Sequence, residues 1–135
     1  MSLPQPVPGL VIRYAYLWKV KDRPCAVILV AADEDGDQVV TVLPITHSPP
    51  ADPVLGVEIP HATKRRLGLD DERSWIVLTE ANRFVWPGPD LRVAQAGDLA
   101  SAAYGLLPRA VFKEVTTKLA DAIAARLVHV VPRTK

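Results

Sequence analysis

An arginine, a threonine and a histidine stand where a single hairpin would bring them together, and the three types suit phosphate chemistry. Two strand-like runs carry them: Arg23-Pro24-Cys25-Ala26-Val27-Ile28-Leu29-Val30 and Val39-Val40-Thr41-Val42-Leu43-Pro44-Ile45-Thr46. Between them lies Asp33-Glu34-Asp35-Gly36-Asp37, a Gly-bearing acidic stretch of the kind that closes a hairpin. A turn centred on Asp35 gives antiparallel partners whose numbers sum to about 70, which sets Arg23 opposite His47 and beside Thr46. A guanidinium keeps its charge and offers several fixed donors, so Arg23 suits the stabilisation of a phosphate in reaction. The Thr46 hydroxyl could bond a phosphate oxygen, position a reacting hydroxyl, or simply close the strand by bonding to local backbone. His47 brings an acid or base near neutral pH; a solvated loop histidine is the plainer reading and is preferred.

The elements that must position these residues are short. Residues 10–18 are rich in β-branched and aromatic side chains and read as a first strand. Residues 24–31 and 38–45 form the hairpin, both so apolar that burial on two faces is expected. Residues 57–59 make a short strand stopped by Pro60, residues 62–67 a turn or two of helix ended by Gly68. Further strands fall at 74–79 and 83–86, separated by Glu80-Ala81-Asn82. Phe112, Val115, Leu119, Ala122, Ile123 and Leu127 recur at three- and four-residue steps, predicting an amphipathic helix over 108–127 with Pro108 in its first turn. Residues 127–132 finish as a short strand or docked tail. Short strands with one C-terminal helix predict a mainly β fold with α: a small, strongly bent barrel with the helix packed across it.

The bulk composition narrows the class. A chain of 135 residues, 49% hydrophobic and 23% charged, fits one globular domain with a real core. Its formal net charge of +1 confines any nucleic-acid contact to a local patch. Lys64-Arg65-Arg66 is the densest such patch, and Arg13, Lys19, Lys21 and Arg23 form a second; each could meet phosphate or be a solvated face. One cysteine makes neither an internal disulfide nor a multi-thiolate metal site, and Cys25 reads as a small buried hydrophobe. Thirteen prolines cut the chain into pieces and cluster at 1–9, a terminal arm, and at 48–53 and 86–89, two rigid loops. The first nine residues lack the character of a signal peptide, and no run reaches the length of a membrane span. A soluble cytoplasmic protein is expected.

The order of these segments resembles the PemK/MazF-like toxins of type II toxin–antitoxin systems. Pro8-Gly9-Leu10-Val11-Ile12 opens the likeness. Asp22-Arg23-Pro24-Cys25-Ala26-Val27-Ile28-Leu29 is similar to the family's Arg-Pro strand, and Val42-Leu43-Pro44-Ile45-Thr46 to its Pro-x-Thr strand. Leu67-Gly68-Leu69, Ser74-Trp75-Ile76-Val77-Leu78, Asn82-Arg83-Phe84-Val85-Trp86 and Tyr104-Gly105-Leu106-Leu107 follow in family order. The resemblance implies an SH3-like barrel, a homodimer, a small cognate antitoxin as partner, and sequence-specific cleavage of single-stranded RNA without metal or other cofactor. It also implies that Arg23 and Thr46 are the catalytic pair; the family does not consistently place a histidine at the position of His47, which ranks below them as an acid–base candidate. Lys19, Lys21, Ser48, Lys64, Arg65 and Trp86 are the RNA contacts expected beside them. Trp18 and Trp86, at strand ends, could stack on bases or pack, whereas Trp75 reads as core.

Three features depart from the family pattern: a short connection at 19–22, the stiff proline-rich 48–53, and a long insert at 87–103. They keep open an alternative in which the same barrel is a catalytically weak or inactive module that binds nucleic acid or a protein.

Overall fold

The computed structural model describes residues 3–15, 22–88 and 91–132. Lys19, Lys21 and Trp18 lie outside them. Among the described residues β2 (Asp22–Ala32) and β3 (Gln38–Thr46) form the expected hairpin. Asp33 holds its turn: one carboxylate oxygen accepts the backbone N–H groups of Asp35 and Asp37, each at 2.9 Å. Gly36 takes a φ of 83°, which a side chain would disfavour.

From Ala32↔Gln38 to Leu29↔Thr41 the partner numbers sum to 70, as the turn predicts. At Ile28 the register slips, and Val27↔Val42 through Cys25↔Pro44 sum to 69. This is a β-bulge, one extra residue on β2. Carried two residues further, the shifted register sets Thr46 rather than His47 across from Arg23, correcting the expected pairing.

β3 is the hub of the sheet. Beside β2 along one edge, its other edge pairs first with β6 (Glu80–Val85) and then, at Ile45 and Thr46, with β5 (Trp75–Val77). The path runs β4 (Gly56–Glu58), β5, β3, β2, β1 (Leu10–Ala15), β7 (Ala103–Leu106). β8 (His129–Pro132) adds to β6 in parallel, and the other pairings are antiparallel. Among the described residues the fold is mainly β with two α-helices, and these pairings form an open, branched path.

Both faces of the hairpin are buried at its end away from the turn, over residues 25–27 and 42–45, whereas towards the turn the expected burial is lost and Leu29 is 57% exposed. Ala26, Leu43 and Ile45 join one cluster, and Cys25, Val27, Val40 and Val42 join a second with Tyr14 and Phe84. The helix α2 (Arg109–Ala124) covers the first cluster through Val111 and Val115, with Phe112 and Leu119 packed against it. It is shorter than 108–127: Pro108 is its N-cap, and Arg126, at a φ of 59°, turns the chain into β8. Leu127, expected on the buried face, lies past the helix end and is 49% exposed, and Ile123, in the last turn, is 57% exposed.

Other expectations shift locally. Glu80, Ala81 and Asn82 belong to β6 rather than separating two strands, and Trp86 falls just past its end. Trp75 is only half-buried, with the Arg73 guanidinium 5.0 Å from its ring centre. Of the 87–103 stretch, residues 91 and 92 lie along β1: Leu91 bridges Tyr14, and the Arg92 N–H bonds the Arg13 carbonyl at 3.1 Å. A short 3-10 turn, Leu99–Ala102, then leads directly into β7.

The short helix α1 (His61–Leu67) ends as expected at Gly68, whose φ is 74°. The Gly68 and Leu69 N–H groups bond back to the Arg65 and Lys64 carbonyls at 3.2 and 2.9 Å. That left-handed stop aims the next residues at the open end of the hairpin.

Candidate active site

A cleft of about 570 Å³ opens at the end of the hairpin away from its turn. β1 and β2 supply Arg13, Arg23 and Pro24, β3 and the residue after it Ile45 and His47, and the segment after α1 Leu69, Asp70, Glu72 and Ser74. Tyr104 of β7 closes one side.

His47 is held here between two carboxylates. Its Nε2 lies 2.6 Å from Asp70 Oδ2, and its Nδ1 lies 3.7 Å from Glu72 Oε2. Asp70 in turn rests on Lys64, which is 2% exposed. The Lys64 ammonium donates to Asp70 Oδ1 at 2.5 Å, to Ser74 Oγ at 2.7 Å and to the Glu72 carbonyl. The Glu72 N–H donates to the same Asp70 oxygen at 3.1 Å. Partial burial alone would raise the Asp70 carboxyl, but hydrogen bonds from Lys64 and His47, together with their charges, hold it below its usual value.

Thr46 is not part of this wall. Side chains alternate along a strand, and Ile45 and His47 face the cleft while Thr46 faces away. Its hydroxyl donates to the Ser48 carbonyl at 2.9 Å, the local backbone bond foreseen as its plainer role. The structure therefore brings Arg23 and His47 into one cleft and leaves Thr46 beside it.

The expected RNA contacts divide similarly. Lys64 is corrected from a surface charge to a buried tie, since its three donors are all taken. Arg65 and Ser48 are exposed but do not line the cleft. Trp86 stacks on Phe84 with ring centres 6.2 Å apart and also stands clear of it. Arg13 does reach the cleft, but it bonds the Ser101 carbonyl at 2.9 Å and the Tyr104 hydroxyl at 2.8 Å.

No family model matches the chain, and no curated protein does either.

Asp70, Glu72 and Tyr104 were missed by sequence reasoning. A signal for Asp70 was present: Lys64 lies three residues before Leu67, on the face that α1 must bury, and an acidic run follows Gly68. A buried lysine needs a carboxylate nearby. His47, Asp70 and Glu72 each offer a ligand atom within 4.8 Å of the others, so they could hold a divalent cation if the His47–Asp70 bond opened.

Proposed function

We propose that this chain is an endoribonuclease toxin of the PemK/MazF type, cleaving single-stranded RNA at the cleft through the RNA's own 2′-hydroxyl. One observation carries the reading: a permanent cation, Arg23, and an imidazole held by a carboxylate, His47, share one open cleft. The branching of β3 between β6 and β5 suits a small sheet bending towards an SH3-like barrel. A homodimer in the cytoplasm, restrained by a cognate antitoxin and needing no cofactor, completes the proposal on the strength of the resemblance. The described residues form no helix long and apolar enough to cross a membrane.

In this reaction His47 takes the proton from the 2′-hydroxyl, and the freed oxygen attacks the adjacent phosphorus. Arg23 donates hydrogen bonds to the non-bridging oxygens as charge gathers on the phosphorane. The bond to the 5′ oxygen breaks, that oxygen takes a proton from water in the open cleft, and His47 returns its own proton to solvent. The products are a 2′,3′-cyclic phosphate and a 5′-hydroxyl. Thr46 enters indirectly: by closing the 46–48 turn it sets where His47 points.

A second reading, the non-catalytic binding module, is favoured by the engagement of both the Thr46 hydroxyl and Arg13 within the fold. Incubating the purified protein with a mixed RNA pool and mapping the ends separates the two. Cuts at a recurring motif, carrying cyclic phosphates, support the enzyme; retention of intact RNA supports the module.

A further inference from the structure

We propose that Asp70 is a positioning residue: anchored by buried Lys64, it takes the Nε2–H of His47 and so leaves Nδ1 as the atom that receives the RNA proton. The assignment rests on the ribonuclease reading given above.

Donors and acceptors fix the tautomer. The ionised Asp70 carboxylate can only accept. Its Oδ1 already receives the Lys64 ammonium and the Glu72 N–H, which leaves Oδ2 for His47. A neutral imidazole at 2.6 Å from that oxygen must therefore carry its proton on Nε2. Its Nδ1 then holds a lone pair, 3.7 Å from the exposed Glu72 carboxylate and beyond hydrogen-bond reach of it. Lys64 makes the arrangement directional. An ammonium has no acceptor, and at 2% exposure its three donors are spent on protein acceptors.

Asp70→Asn tests this with nearly unchanged shape. Lys64 requires an acceptor and will claim the amide oxygen, so the amide nitrogen turns its N–H towards His47. The ring must then present a lone pair at Nε2 and move its proton to Nδ1. The reactive atom becomes a donor and can no longer accept from the 2′-hydroxyl. A comparable wrong-tautomer effect is known to cost large factors in rate where a carboxylate orients a catalytic histidine.

The direct readout is the 15N spectrum of the neutral imidazole in the full chain, with His47 distinguished from His61 and His129 by a His47→Gln variant. The wild type should show Nε2–H and Asp70→Asn should show Nδ1–H. With RNA, kcat should fall about a hundredfold or more while KM moves by less than about threefold. Asp71→Asn, the same charge change at the exposed neighbouring residue, should alter neither. An Nδ1–H tautomer at His47 in the wild type overturns the assignment. So does a folded Asp70→Asn protein that keeps Nε2–H or cleaves at the wild-type rate. If the wild type cleaves no RNA, the ribonuclease reading fails, and the tautomer result still decides the assignment.

Discussion

At the scale of single residues, what decides the site is which side of a strand each side chain faces. Arg23, Thr46 and His47 are adjacent in any reasonable hairpin register, so their neighbourhood was legible in the sequence. Their ranking was not. Alternation sends His47 with Ile45 into the cleft and turns Thr46 towards Ser48. We expect His47→Ala to reduce RNA cleavage about a hundredfold or more, a typical loss for a general base. Thr46→Val, which loses only the turn bond, should cost roughly tenfold or less, since a neutral hydrogen bond contributes about 1 kcal/mol. Initial rates on one short RNA compare them directly. Lys64 was legible only in part, because its charge suggested solvent and only its spacing to Leu67 suggested burial. Lys64→Met should lower the unfolding free energy by about 1–3 kcal/mol, because Asp70 Oδ1 and Ser74 Oγ lose their charged donor and the Glu72 carbonyl keeps only the 3.3 Å bond from the Ser74 hydroxyl. Urea denaturation measures that difference.

At the scale of elements, apolar patterning gave the hairpin, both helices and the two-faced burial of β2 and β3 at the end away from the turn. The bulge at Ile28 escaped it, because an extra residue in an unbroken apolar run leaves no trace in the pattern. β7 escaped for a related reason. Ala103–Leu106 has no alternation of its own and becomes a strand only because β1 offers it an edge. Gly68, by contrast, was legible as a helix stop and does more than stop a helix. Its left-handed backbone delivers Asp70 to His47. Space around the position is open, so Gly68→Ala should meet no clash yet cost about 1 kcal/mol from backbone conformation alone. Thermal unfolding should register a fall of several degrees.

At the scale of the whole molecule, the near-neutral charge balance leaves binding to the local cleft and makes stability depend on a few placed carboxylates. Asp70 is held below its usual value against the opposing effect of burial, by Lys64 and His47. Glu58 is lowered chiefly by its hydrogen bond from Arg73, whose two nitrogens reach it at 2.8 and 2.9 Å. A carboxyl lowered by folding stabilises the fold above its unfolded value, near 4, and that contribution is lost as pH falls through its folded value. Stability should therefore decline below about pH 4, and the decline should be shallower in Asp70→Asn, as urea midpoints across pH 3–6 would record.

The most direct test of the central claim uses one uniform RNA substrate with the wild type, Arg23→Ala and His47→Ala, each checked for folding, scored by end-mapping for 2′,3′-cyclic phosphate. The account predicts cyclic-phosphate ends from the wild type and a loss of about a hundredfold or more in each variant. Undiminished cleavage by both folded variants, or no cleavage by the wild type, would contradict it.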